Sequence, residues 1–152
     1  MKNILDLGES KDIMVRISKL SSDVIPKWGK MNDQQMLCHV SDQIRMATGE
    51  IKAEYIGNPF LKIVAKRLTL LGMPIPKGKI QTTKELNQEK MGTKPSGFEK
   101  DRKTLIDLIN NFDKNYPDNT KICHPAFGPM TKKQWGRLIY LHLHHHLQQF
   151  GV

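Results

Sequence analysis

From Lys132 to Phe150 apolar residues recur at helical spacing, and two histidines fall inside the apolar stripe. At about 100° per residue with Trp135 at zero, Ile139, Leu143 and Phe150 lie at about 40°, about 80° and about 60°, and Leu138 at about 300°. His142 and His146 lie at about 340° and about 20°, in the middle of that stripe. His145 borders it at about 280°, and His144 sits on the opposite, solvated face at about 180°. Any fold for this chain must therefore take in two imidazoles spaced i, i+4 and supply them with partners, because an unpartnered buried polar ring costs free energy. Such a pair points the same way and suits a divalent ion; two hydrogen-bonded core histidines are the alternative. Leu143 interrupting the run, and Leu147, Gln148, Gln149 and Phe150 continuing it in register, argue against an appended tag.

Three further helices are predicted. Lys11 to Val24 carries Ile13, Ile17, Leu20 and Val24 and ends before Pro26. Asp33 to Thr48 turns Met36, Val40, Ile44 and Ala47 inward and stops at Gly49; Phe98 to Asn115 carries Leu105, Ile106, Leu108, Ile109 and Phe112. Glycines and prolines punctuate residues 49–97, which read as connection holding a short amphipathic helix from Pro59 to Leu71 and another near Thr83 to Glu89. Pro117 to Pro129 reads as loop. Two helix starts share one chemistry. Asn32 is followed three residues later by Gln35, and Thr131 by Gln134, the spacing of a capping box. Met31 and Met130 precede these caps and can staple onto Met36 and Trp135.

At 152 residues the chain suits a single domain over 1–152, and its 7% aromatic content favours an all-α core. The net charge of +9 raises nucleic acid or an anionic ligand as a partner. Lys77, Lys79, Lys84, Lys90 and Lys94, however, lie in the polar middle without interleaved aromatics, so solvated loop charge is the better reading and nucleic acid ranks last. Cys38 and Cys123 have no CxxC spacing, which fits reduced thiols and a cytoplasmic location. No apolar run reaches the roughly 20 residues of a membrane span, and no membrane partner is expected.

His39 supplies a third imidazole. With Met36 at zero it projects at about 300°, beside Gln43 at about 340°, while Cys38 projects at about 200°, away from the apolar face. Alone, His39 reads as a boundary histidine bonded to a carbonyl. It lies about 10 Å from the start of its helix, and His142 and His146 about 12 and about 6 Å from the end of theirs. The three share one level only if the two helices run antiparallel. The connection of nearly fifty residues after the second helix is long enough to cross the fold, giving a four-helix bundle that runs up, down, down, up. His124 either lines the mouth of such a site or is a loop histidine holding backbone carbonyls. Trp28 and Trp135 read as staple and core.

The segments Trp28-Gly29-Lys30-Met31, Met36-Leu37-Cys38-His39-Val40 and His124-Pro125-Ala126-Phe127-Gly128-Pro129-Met130-Thr131, with Trp135-Gly136 and His145-His146-Leu147-Gln148-Gln149-Phe150-Gly151, resemble the DinB-like superfamily of metal-binding four-helix bundles. Within it the chain is similar to an uncharacterised bacterial family, over residues 10–152. The resemblance implies that His39, His142 and His146 are metal ligands and that the cofactor is a divalent ion, zinc or nickel. It also brings the thiol-dependent transferase and isomerase chemistry of several superfamily branches. The expectation is a metal-dependent enzyme joining a low-molecular-weight thiol to an electrophilic small molecule. Hydrolysis ranks lower, since no carboxylate sits at a helical offset from His142 or His146 to serve as general base, and Gln43 and Gln149 flank the site instead. A non-catalytic metal- or small-ligand-binding module is the alternative from another class. Bundles of this kind also form homodimers.

Overall fold

Segments with 3.6-residue apolar periodicity need a common core to cover their stripes, and five such segments are helical in the computed structural model. It describes residues 1–52, 59–73, 83–117 and 119–152, with 59–62 described by backbone alone. The helices are α1 (Leu7–Ser18), α2 (Asp33–Ala47), α3 (Pro59–Leu71), α4 (Phe98–Asn115) and α5 (Lys132–Gln149). A 3-10 turn (Lys84–Leu86) and an antiparallel hairpin of β1 (Ile122–His124) with β2 (Gly128–Met130) are the other elements among the described residues, so the chain is mostly helical. α2 packs on α4 and α5, α1 on α5 and α4, and α3 on α5. Ile13, Ile17, Met36, Val40, Ile44, Leu105, Phe112, Trp135, Ile139 and Leu143 meet in one core.

Both capping boxes form. Asn32 accepts from the Gln35 amide at 2.8 Å while the Gln35 side chain accepts from the Asn32 amide at 3.0 Å; Thr131 and Gln134 repeat the exchange at 3.3 and 3.0 Å. α1 begins at Leu7 and ends at Ser18, earlier at both ends than the predicted Lys11 to Val24. Leu20 is buried but lies in the return loop, so core burial extends the apolar pattern beyond the helix. In that loop Asp23 adopts a left-handed φ of 60° and donates its amide to the Asp33 carboxylate. The helix expected over Thr83 to Glu89 is only the 3-10 turn. The hairpin falls where loop was expected. Trp135 Nε1 donates to the Ile122 carbonyl and Tyr116 Oη to that of Met130, both at 3.0 Å, fastening it to α5 and α4. The stretches of the middle connection at 53–58 and 74–82, and residue 118, lie outside the described residues.

α2 is buried on more than one side, which corrects the projection of Cys38 away from the core: Cys38 is 3% exposed. Burial, aided by the carboxylates of Asp101 and Asp42, pushes its thiol up to about 12. Asp101 of α4 lies against Cys38, and the segment after the 3-10 turn is held on α2 by Asp42. That fully buried carboxylate accepts from the Thr93 amide (2.8 Å), Thr93 Oγ1 (2.7 Å), Gln88 Nε2 (3.2 Å) and Arg45 Nη1 (3.0 Å). Removing the carboxylate takes the acceptor from four donors, of which, among the described residues, Arg45 alone keeps other partners, Glu50 and Thr93 Oγ1. Asp42→Ala is therefore expected to lower unfolding stability by about 3 kcal/mol. Urea denaturation checks this, and a loss below about 0.5 kcal/mol would show that the network does not hold the segment.

Candidate metal centre

His39 comes from the second turn of α2, and His142 and His146 from the last two turns of α5. The rings meet because α2 and α5 pack against each other. His142 Nε2 lies 3.0 Å from His39 Nε2 and 3.1 Å from His146 Nε2. One nitrogen from each ring falls within 4.8 Å of the other two. His39 and His146 are 4% and 6% exposed; His142 is partly exposed as a residue, though its Nδ1 is sealed from solvent. His39 is thus a core residue, where a boundary position was expected.

The outer nitrogens decide what the inner ones present. His39 Nδ1 lies 2.8 Å from the Leu86 carbonyl, which can only accept, so Nδ1 carries the proton and Nε2 a lone pair. At His146 the proton is placed by Gln149, whose Nε2 donates to the Trp28 carbonyl. That contact turns the amide oxygen toward His146 Nδ1, 2.7 Å away, so His146 also donates outward and presents a bare Nε2. Gly29 makes the clamp fit. Its φ of 82° is left-handed, and a Cβ there would stand 2.5 Å from Gln149 Nε2. The Lys27 amide adds a 2.8 Å bond to the Gln149 carbonyl.

His142 closes the cluster. Its Nδ1 is buried without a hydrogen-bond partner. With the proton on Nε2, Nδ1 keeps an unmet lone pair and one neighbouring Nε2 goes unserved; with the proton on Nδ1, three lone pairs face one another. A cation among the three nitrogens would remove the second conflict, and three neutral imidazoles are a donor set that zinc-like ions accept. All three rings are held neutral. Burial lowers His39, drives His142 well below the ordinary histidine value with help from His146 and His39, and takes His146 to about 3.

Among the described residues the remaining histidines give no nitrogen to this cluster, although one of them touches it. His145 meets the His146 ring edge-on at 5.1 Å and the Trp28 ring at 5.7 Å. His144, expected to be solvated, is half-buried: its Nδ1 accepts from Arg16 Nη1 at 2.8 Å and its ring stacks on Tyr140. The reason is that α1 packs on the face of α5 that a single stripe leaves to water. His124, expected in a loop holding backbone carbonyls or at the mouth of the site, is the last residue of β1, and its partners are amides and not carbonyls. Its Nδ1 accepts from the Ala126 and Phe127 N–H groups, its ring stacks on Phe127 at 4.5 Å, and burial with Lys66 lowers it to about 4. Gln43 is buried one turn beyond His39 with its Oε1 unpartnered. No sequence signal pointed to Leu86 as the partner of His39. Gln149 was placed beside the site by its helical position, but without a task.

Fold and cluster together define a mostly helical protein with three converging histidines, two of them buried and one half-buried. The chain belongs to the family described as Protein of unknown function (DUF1569), whose profile matches residues 2–151. No curated protein and no solved structure matches it.

Two outcomes follow from this geometry. Gln149→Leu removes the acceptor that fixes His146 and should weaken binding of added zinc by about 10- to 100-fold while leaving the helical signal intact. Isothermal titration measures it, and unchanged affinity would show that the clamp does not orient the ring. The second concerns protons. In the unfolded chain these rings protonate near 6.5, whereas folded they stay neutral to lower pH, so the unfolded state binds more protons as the pH falls. The contribution is complete above about 6.5 and is lost on acidification, down to about 4 for His124 and about 3 for His146. Chelator-treated protein should therefore lose stability between about pH 7 and pH 5, by up to about 1.4 kcal/mol per pH unit for each ring. Equal urea midpoints at the two pH values would contradict this.

Proposed function

We propose that His39, His142 and His146 bind one divalent cation, zinc or nickel, and that the protein is a metal-dependent enzyme acting on a small molecule. The observation that carries this reading is the pair of outward hydrogen bonds, to Leu86 and Gln149, that leave two Nε2 lone pairs aimed at one point beside His142. Metal-bound histidines are held in this way by acceptors behind the ring. The scaffold we propose is a four-helix bundle of α1, α2, α4 and α5, running up, down, down, up as in the DinB-like superfamily, with α3 in the crossover. Two features support it. The residues leading into α2 bond to the last turn of α5, and Ile122, near Gly49 at the far end of α2, accepts from Trp135 in the first turn of α5.

Three protein ligands leave at least one position on a four-coordinate ion for an exchangeable group. Such an ion, when bound, lowers the pKa of a thiol or water and holds it for attack. The chain's own contribution is to keep three rings neutral at physiological pH and to fix their aim. Among the described residues the cluster contains no carboxylate to take a proton from water, and Asp42, one turn from His39, is committed to its own donors. That favours transfer of a low-molecular-weight thiol to an electrophile over hydrolysis. The near-complete burial of His39 and His146 supports a second reading, a non-catalytic module in which the ion fixes structure or is sensed.

Elemental analysis separates these from a metal-free role. Wild type supplied with zinc should retain about one ion per chain, and His39→Ala, His142→Ala and His146→Ala well under half of that. Equal content in all four proteins would overturn the assignment. Metal-dependent consumption of an electrophile by an added small thiol supports the enzyme; a loaded protein inert with every thiol and electrophile tried supports the module.

A further inference from the structure

Helix α3 is the part of the molecule whose surface the core does not explain. Five of the ten exposed large apolar side chains among the described residues lie on it or just beyond it: Ile63, Val64, Leu68, Leu71 and Met73. Val64, Leu68 and Leu71, at i, i+4 and i+7, form one outward stripe about 10 Å long. The opposite side is anchored. Lys66 Nζ donates to the Pro129 carbonyl at 2.6 Å, and Arg137 Nε donates to the Leu70 carbonyl at 3.1 Å. The outward stripe is thus fixed in orientation and, among the described residues, left uncovered.

Charge is segregated in the same stretch. Between Glu54 and Glu85 there is no acidic residue, while Lys62, Lys66, Arg67, Lys77, Lys79 and Lys84 supply six cations of a net +9. Arg67 is exposed and, at roughly 60° from the stripe, flanks it.

We propose that α3 docks the protein on an anionic lipid surface, lying in the interface with Val64, Leu68 and Leu71 turned toward the acyl chains and Arg67 beside them at the headgroups, in a stretch of the sequence that carries only positive charge. An amphipathic helix in a cationic stretch of sequence is the form such association takes. No helix among the described residues is long and apolar enough to cross a membrane, and lying on one requires no span. A second copy of the chain fits less well, since mating two α3 stripes brings the cationic flanks together. Nucleic acid would use the cations and leave the apolar stripe in water.

Cosedimentation of the full chain with vesicles tests this. Vesicles containing about one-third phosphatidylglycerol in phosphatidylcholine should carry the protein down, and vesicles of phosphatidylcholine alone should carry much less. Binding should fade from about 0.1 to about 1 M salt, as the screening length shrinks from about 10 to about 3 Å. The double variant Val64→Glu with Leu68→Glu, on exposed positions, should bind at least about tenfold more weakly with an unchanged circular dichroism spectrum. No binding to the anionic vesicles at the lower salt, or equal binding by the variant, would overturn the proposal. So would a dimer or a DNA complex that the variant disrupts in the absence of vesicle binding; these would assign the face to a second copy or to nucleic acid.

Discussion

A neutral imidazole carries a single N–H, so an acceptor fixed behind the ring dictates a lone pair in front of it. His39 and His146 each meet such an acceptor, and both acceptors are set by the fold. The Leu86 carbonyl is brought over α2 by the 3-10 turn, whose following segment Asp42 grips through Gln88 and Thr93. The Gln149 oxygen is aimed by the Trp28 carbonyl in a turn that only glycine at position 29 lets approach so closely. The inner face of the cluster thus depends on contacts one layer out, at both ends of the buried network.

α5 serves three neighbours at once. Its inward face gives His142 and His146 to the cluster opposite α2. Another face holds α1, through Arg16 bridging His144 and the Val152 carbonyl. Farther toward its start, Arg137 binds the Leu70 and Lys2 carbonyls and so ties α3 and the N-terminal arm to the same helix. Gly136 lets that arm approach: a Cβ there would overlap Asn3 Oδ1, and the Ile4 amide donates to the Gly136 carbonyl. Keeping the cluster neutral by burial has a consequence for stability, because protons then compete with folding wherever the unfolded histidines titrate.

What could be read from the sequence follows from what leaves a periodic or local trace. α3 and α4 fall where predicted, α2 and α5 do so to within a residue at their ends, and both capping boxes form, because apolar spacing and cap chemistry are local. His142 and His146 were legible from their place in a stripe, and His39 from its level along a helix and from resemblance. The end of α1 was not, since Leu20 keeps the apolar rhythm after the helix has stopped. Strands of three residues, one holding Pro129, carry no alternation to detect. Projection onto one face also assumes one buried side, and α2 has more, which hid the burial of Cys38 and Asp42. Backbone acceptors such as Leu86 and Trp28 have no side-chain signature at all.

Everything proposed for the site requires that the three inner nitrogens form one binding point. Anomalous diffraction at the zinc edge from crystals of the zinc-loaded protein tests it most directly. A single strong peak is expected about 2.0–2.1 Å from Nε2 of His39, His142 and His146. A peak at Nδ1 of any of these rings, or an ion held elsewhere while the three rings keep their mutual contacts, would contradict it.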